Sequence, residues 1–252
     1  MNNVRIIPSL LMHNKKLVKT TRFKNPQYIG DPINAVRILN NLFVDEIILL
    51  DINQSSTHLP IDFEYLKNLA SECFIPICYG GGISSLETAI TLYSIGIEKL
   101  SIHTAAIKDL QFIKQLSTHF GSQSIVGAID YKPKFLQGCK VVVHNKKNTK
   151  YTLIDYAQML EEHGAGELLV NAINRDGLMT GYDLDMLATL SEKVSIPIIA
   201  SGGAGNLHHM KDVLHKTGIN AFAAGSLFVY SGNLKAVLIN YPSRQEIKET
   251  FC

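Results

Sequence analysis

Two glycine-rich turns, half a chain apart, constrain this sequence more than any other feature. One reads Pro76-Ile-Cys-Tyr-Gly80-Gly81-Gly82-Ile-Ser84, the other Pro197-Ile-Ile-Ala-Ser201-Gly202-Gly203-Ala-Gly205. Each follows a short apolar run and precedes a segment with helical periodicity. Backbone N–H groups in such a turn, with a helix start behind it, make a concave site for an anion. The two turns are related by a shift of 121 residues, and Glu46-Ile-Ile-Leu-Leu50 aligns with Glu167-Leu-Leu-Val-Asn171 at the same shift. The repeat predicts a symmetric protein that holds a ligand carrying two phosphates.

The repeat sits within a longer alternation. Strand-like runs rich in Ile, Val and Leu are expected at Val4–Leu10, Glu46–Asp51, Ile75–Tyr79, Lys99–Ile102, Ser124–Asp130, Glu167–Ala172, Ile196–Ala200 and Ala221–Ala224. They show little polar alternation, as strands covered on both faces do. Helical patterns are expected at Pro32–Leu42, Asp62–Cys73, Ser84–Ser94, Leu110–His119, Leu153–His163, Asp185–Lys193, Leu207–Thr217 and Leu234–Asn240. Eight βα units in 252 residues suit a (β/α)₈ TIM barrel. The half-barrels fall at about 1–123 and 124–252, and open half-barrel edges predict that they fold together as one domain spanning 1–252. The runner-up is an open doubly wound sheet, disfavoured because no G-x-G-x-x-G opens the first helix.

Charge narrows the partners. The chain has 24 Lys and Arg against 22 Asp and Glu, a balance that gives no reason to expect nucleic acid or an anionic membrane surface. No apolar run reaches membrane-spanning length, and the N-terminus lacks the apolar stretch of a signal peptide. Cys73, Cys78, Cys139 and Cys252 form no C-x-x-C pair and fit no zinc site. Reduced thiols, a cytoplasmic location, no metal and no cofactor are the expectation.

In barrels of this kind, chemistry is built at the C-terminal ends of the strands. Gly81 and Gly82, with Thr104 after the next strand, form one candidate phosphate cradle. Gly202 and Gly203, with Ala224, Gly225 and Ser226, form the other. Asp176 and Gly177 lie just past the sixth strand, where the carboxylate can orient a ligand hydroxyl and the glycine can offer a backbone N–H. The alternative is a plain Asp-Gly turn. Asp130 and Asp51 end two strands, and each is a candidate general acid or base. Two long connections, Met12–Asp31 with its five Lys and Arg and Tyr131–Thr152 with a hairpin pattern through Lys140–His144 and the Asn145–Thr149 turn, are expected as mobile loops over the mouth. His208-His209 has no third ligand nearby and is expected on a solvent-facing helix. At the other end, Arg5, Glu46, Lys99 and Glu167 each stand at a strand start. Two cations and two anions there can neutralise one another, and physics alone favours a structural salt-bridge plug.

Together these residues resemble the cyclase subunit of imidazole glycerol phosphate synthase over nearly the whole chain. The likeness is carried by Arg5-Ile-Ile, Gly30-Asp31-Pro32, Asp45-Glu46, Leu50-Asp51-Ile52, Gly80-Gly81-Gly82-Ile83, Thr104-Ala105-Ala106, Phe120-Gly121-Ser122-Gln123, Ala128-Ile129-Asp130, Gly164-Ala165-Gly166-Glu167, Arg175-Asp176-Gly177 with Gly181-Tyr182-Asp183, and Ile199-Ala200-Ser201-Gly202-Gly203-Ala204-Gly205. The resemblance implies a barrel docked by its N-terminal face onto a glutaminase, with Arg5, Glu46, Lys99 and Glu167 as the gate through which ammonia enters. It implies a lyase-type reaction at the mouth. A ribulosyl bisphosphate is joined to ammonia, giving imidazole glycerol phosphate and aminoimidazole carboxamide ribotide, as in histidine biosynthesis.

The departures from that family fall at the mouth. Leu11 stands where the resemblance implies a second catalytic aspartate opposite Asp130. Ser9 replaces a cysteine, Thr20 a glycine, His103 an asparagine, Asn171 a threonine, Asn174 an aspartate and Gly225 a serine. A kept gate beside a changed mouth implies a changed acceptor. Divergent relatives of this kind are associated with lipopolysaccharide and other surface-polysaccharide synthesis. There a glutaminase, the barrel and a sugar amidotransferase convert an N-acetyl group into an acetamidino group. The competing expectations are an ordinary histidine-pathway enzyme, with His103 or Asp51 serving for the missing aspartate, and a non-catalytic ammonia conduit.

Overall fold

A computed structural model of the chain describes residues 4–53, 60–134, 138–143, 147–232 and 234–251. Its strands in chain order are β1 (Arg5–His13), β2 (Lys16–Thr21), β3 (Lys24–Gly30), β4 (Ile47–Asp51), β5 (Ile77–Gly80), β6 (Lys99–Ile102), β7 (Ile125–Lys134), β8 (Gly138–Val143), β9 (Lys147–Thr152), β10 (Glu167–Ala172), β11 (Ile198–Ser201) and β12 (Ala221–Ala224). Eight of them pair in parallel in the order β1, β4, β5, β6, β7, β10, β11, β12, and β12 returns to β1. With helices between successive strands, this is a closed (β/α)₈ barrel. All eight strand expectations and seven of the eight helix expectations find their element.

The period-two alternation of a strand explains how the barrel is layered. Residues 5, 7, 9 and 11 of β1 face the axis, as do Glu167, Leu169 and Asn171 of β10. Each such column reads charged at the bottom, aliphatic in the middle and polar or mixed at the top. The middle layer is a cluster of its own: Ile7, Ile48, Cys78, Val126, Leu169, Ile199, Ala221 and Ala223, all buried. The outward-facing residues, such as Ile6, Leu10, Leu49 and Leu168, join the larger core under the helices.

The half-barrel repeat recurs in atomic contacts. A side chain on Gly81 would meet the Asp51 carbonyl at 2.5 Å, and one on Gly202 would meet the Ala172 carbonyl at 2.7 Å. Asp51 and Ala172 are related by the same shift as the two glycines. The helices behind the turns, Leu86–Ser94 and Leu207–Thr217, are capped by the equivalent residues Ser85 and Asn206, which accept from the backbone N–H groups of Thr88 and His209.

Three local expectations need correction. Leu234–Asn240 is not a helix. Ala236–Val237 pairs with Tyr230–Ser231 in a short ribbon, and Leu234, Val237 and Leu238 are exposed while Ile239 packs against the core, so most of the apolar pattern there faces solvent. The last helix is Arg244–Phe251, started by a reciprocal Ser243–Glu246 capping box. The connection Met12–Asp31 is not a loose loop. β1 runs on to His13 and pairs with β2, which pairs with β3, so the segment is a hydrogen-bonded strap. The Tyr131–Thr152 connection does contain the expected antiparallel pairing, β7 with β8 and β8 with β9. His144 and Asn145 of its turn lie outside the described residues, as does Cys252. Cys73, Cys78 and Cys139 are free. Among the described residues no helix is long and apolar enough to cross a membrane.

Candidate functional site

The C-terminal ends of the barrel strands surround a cavity of about 1340 Å³. Asp130, Thr104, Asp176 and Ser226 line it, as do Gly81, Gly82, Gly177, Gly202, Gly203, Ala224 and Gly225. Most of the mouth residues singled out from the sequence line this one cavity, and Asn174 is not among its lining. Leu11, His103, Asn171 and Lys19 share the wall.

The glycine turns owe their shape to backbone geometry. Gly81, Gly82, Gly202 and Gly203 have φ of 131°, 70°, 87° and 111°, a region that side chains disfavour. Gly203 is further clamped from outside. Its carbonyl accepts from the Gly181 N–H at 2.8 Å, and a Cβ on Gly203 would collide with the Gly181 carbonyl. Short helices follow at Thr104–Lys108 and Ser226–Val229, and neither has a side-chain cap at its N-terminus. Their first N–H groups, and the buried, unpartnered Ser226 Oγ, are hydrogen-bonding groups at the cavity wall.

Asp130 ends the inward column of β7. Asn171 Nδ2, from the neighbouring β10, donates to Asp130 Oδ1 at 3.1 Å. His103, from the neighbour on the other side, places Nδ1 3.9 Å from Asp130 Oδ2, beyond hydrogen-bond distance. Burial pushes the Asp130 carboxyl above the usual carboxylate range, against the pull of His103 and Asn171, and Asp176 adds to the rise. The side chain still keeps 28% of its surface at the cavity wall, so the desolvation is that of a deep cleft and not of a sealed core. In the ring of eight strands β1 stands opposite β7. There Leu11 lies in register with Leu50 and Val18, neither of them a carboxylate. Asp51 pairs in register one residue further on, with Met12, and its Oδ1 accepts from the Asn53 N–H.

The strap closes on Asp176. Lys19 Nζ donates to Asp176 Oδ1 at 2.7 Å, and Thr20 Oγ1 and the Phe23 N–H donate to Oδ2 at 2.9 and 3.2 Å. Arg22 donates from its backbone to the Asp176 carbonyl and from Nε to the Asn174 carbonyl. Asp176, expected from the sequence to orient a ligand, lines the cavity and also latches the strap. Two glycines make room for it. A Cβ on Gly177 would sit 2.5 Å from the Thr20 carbonyl, and one on Gly225 would sit 3.0 Å from Lys19 Cε. Sequence reasoning missed this latch and the Asp130–Asn171 contact. The Lys and Arg count of residues 12–31 and the strand-end position of Asn171 were the available signals.

At the opposite end, Arg5, Glu46, Lys99 and Glu167 close into one ring. Arg5 binds Glu46 at 3.1 Å and also Glu167, while Lys99 binds Glu46 at 3.2 Å and Glu167 at 3.1 Å. Burial lowers the affinity of Arg5 and Lys99 for their protons, but the two glutamates outweigh it, so both cations are held above their ordinary values. The His208-His209 pair divides: His208 is exposed, whereas His209 accepts the Gly205 N–H at 3.1 Å and packs near Gly181.

Residues 5–235 match the family described as Histidine biosynthesis protein. The chain is 47% identical over 239 residues to a Pseudomonas aeruginosa protein provisionally named imidazole glycerol phosphate synthase subunit hisF2, covering 94% of this chain and 95% of that one. It is 45% identical to a Leptospira interrogans protein provisionally named imidazole glycerol phosphate synthase subunit HisF, over 98% of each. It is 40% identical to the imidazole glycerol phosphate synthase subunit HisF of Chlorobium phaeobacteroides, over 89% of each.

Proposed function

The chain belongs to the Histidine biosynthesis protein family, and on that premise we propose that it is the ammonia-using barrel subunit of an imidazole glycerol phosphate synthase-type complex. One observation carries the reading. A single barrel axis joins a ring of four paired charges at the floor to a cavity at the mouth that contains Asp130 and both glycine turns.

Ammonia reaches the axis through the Arg5, Glu46, Lys99 and Glu167 gate. The aliphatic layer above the gate favours neutral ammonia over ammonium, because an unpaired ion in apolar surroundings is far costlier than a small neutral molecule. A glutaminase is the partner at this face. Phe43 and Phe74, in connections that lead into β4 and β5 at the N-terminal end, are 72% and 86% exposed. The Asn40 side chain links their two segments by donating to the Glu72 carbonyl and accepting from the Phe74 N–H. On this reading these exposed aromatic rings belong to the surface that meets the glutaminase.

At the mouth, Gly81, Gly82 and Thr104 hold one phosphate of the ligand. Gly202, Gly203, Ala224, Gly225 and Ser226 hold the other. Gly177 and Asp176 position the strap over the ligand, and Asp130 moves the proton. The substrate on this reading is the ribulosyl bisphosphate of histidine biosynthesis, cyclised and cleaved to imidazole glycerol phosphate and aminoimidazole carboxamide ribotide. The test is turnover of that bisphosphate with ammonium salt, and with glutamine once a glutaminase is added. Turnover that falls about 10²- to 10⁴-fold in Asp130→Asn supports the reading. Undiminished complex activity in that variant would leave the barrel a conduit.

Leu11 favours a second reading, in which ammonia goes to another acceptor. An aliphatic side chain opposite Asp130 transfers no proton, so the barrel delivers nitrogen to a sugar amidotransferase that forms an acetamidino group on a nucleotide sugar. Absent bisphosphate turnover, together with amidino product when that third protein is supplied, would decide for it.

A further inference from the structure

Two of the positions at which the mouth departs from the family resemblance, 103 and 171, prove to be neighbours of the same group. Asn171 on β10 donates to one oxygen of Asp130, and His103 at the end of β6 faces the other. The strand opposite carries Leu11 among aliphatic neighbours. His103 therefore does not refill the place vacated at Leu11, because it stands on the Asp130 wall. On the resemblance, the carboxylate missing at Leu11 and the two neighbours of Asp130 read as one rearrangement.

We propose that Asp130 alone shuttles the proton in this barrel, with His103 and Asn171 as positioning residues that hold its two oxygens from either side. The proposal rests on the ammonia-adding reading of the mouth. As ammonia adds to an electrophilic carbonyl carbon, the C–N bond forms and the carbonyl π pair moves onto oxygen. Asp130 takes one proton from the attacking nitrogen and delivers it to that oxygen. The product is the neutral carbinolamine, and Asp130 ends as the carboxylate it began as. One carboxylate does both jobs only if its orientation is fixed, because it must reach nitrogen and oxygen in turn.

The geometry fits this division. Asn171 pins Oδ1 and leaves Oδ2 toward His103. His103 Nε2 is buried with no hydrogen-bond partner among the described residues. A buried N–H without an acceptor costs more than a buried lone pair without a donor. The ring therefore carries its proton on Nδ1, aimed at Asp130. The proposal requires that the 3.9 Å gap close when a ligand fills the mouth. A charged group that also acts on Asp130 is Asp176, from the segment after β10, which is itself bound by Lys19 of the strap.

The experiment is a cycle of variants assayed with the bisphosphate and ammonium salt. His103→Asn is expected to lower kcat by roughly 10- to 100-fold with little change in KM, because positioning of a proton carrier acts on the chemical step. An Nδ1–H aimed at Oδ2 favours the carboxylate form of Asp130, so the acid limb of the pH profile moves to higher pH when it is removed in this variant. Leu11→Asp supplies a second proton carrier on the opposite wall, and it should restore most of the activity that His103→Asn removes. In parallel, the ring ¹⁵N shifts of His103 are expected to show the Nδ1-protonated tautomer, with that preference weakened in Asp130→Asn. Full activity and an unshifted profile in His103→Asn would overturn the proposal, and so would an Nε2-protonated ring. Wild-type protein that turns over no bisphosphate defeats the proposed function instead. In that event the tautomer and its response to Asp130→Asn still decide the pairing.

Discussion

Both ends of the barrel contain buried or half-buried carboxylates, and Asp130 at the mouth is treated differently from the pair at the floor. At the floor, Glu46 and Glu167 each bind both Arg5 and Lys99, and their side chains are only 6% and 8% exposed. At the mouth, Asp176 is locked to Lys19 and the strap, while Asp130 has one neutral donor and a histidine just out of reach. A carboxylate with full cationic partners is an element of architecture. One that is desolvated and half-satisfied keeps an affinity for protons, and that makes it useful in chemistry. The same strands build both ends. The difference lies in what the neighbouring strands bring level with each carboxylate.

The largest test of this contrast is Lys99→Met. It leaves two desolvated glutamates sharing Arg5, and breaking a buried pair in this way costs about 3 kcal/mol. For a chain of 252 residues that is a fall in Tm of roughly 6–12 °C. The variant also separates gate from plug. A gate predicts that glutamine-driven turnover changes while ammonium-driven turnover, corrected for folded protein, does not. A Tm within a degree of wild type would mean that the ring is not holding the floor together.

Gly203→Ala should come next. The backbone conformation is unfavourable for alanine, and the new Cβ collides with the Gly181 carbonyl. A loss of about 1–3 kcal/mol is expected, together with a weaker apparent affinity for a phosphorylated ligand. Unchanged melting and unchanged binding would show that the second turn is more plastic than its packing implies. Lys19→Met is expected to act locally. It removes the cation from Asp176, so the strap opens without global unfolding. Limited proteolysis at the Thr21–Lys24 tip should speed up severalfold while Tm moves little. Equal cleavage rates would show that Thr20 and Phe23 suffice to hold the latch.

Much of this layout was legible in the sequence, and the failures have identifiable physics. The barrel strands could be read because strands buried on both faces are unbroken aliphatic runs. The mouth could be read because the strand ends converge there in any such barrel. The strap could not, since its hairpin tip is Arg22-Phe23, at φ of 51° and 58°, with none of the Asn-Gly chemistry that announces such a turn. Its anchor, Asp176, lies 157 residues from Lys19, and no local pattern links them. Leu234–Asn240 misled because most apolar residues there face solvent. The true last helix announced itself at Ser243 and Glu246, a capping signal outweighed by the stronger hydrophobic pattern just before it.

The smallest effect is also the most discriminating, because its sign is opposite at the two ends. Asp130 is held above the usual carboxylate range by burial, opposed by His103 and Asn171. The folded protein therefore binds its proton more tightly than the unfolded chain does. Its contribution is fully stabilising below the unfolded carboxylate value and is lost as pH rises through the folded one. Above the folded value the ionised, desolvated group is a net cost to folding, so in that range Asp130→Asn should raise Tm slightly while it lowers turnover. On acidification the advantage should shrink, and it disappears only below the unfolded carboxylate value of about 3.9, where the group is neutral in the folded and the unfolded chain alike. Glu167→Gln at the floor should do the reverse in kind and lower Tm at neutral pH, because its charge is what Arg5 and Lys99 pair with. Melting curves of the two variants between pH 4 and pH 8 test the contrast directly. If Asp130→Asn destabilises at pH 7 as Glu167→Gln does, then Asp130 is a structural ion and the division between the two ends of the barrel is wrong.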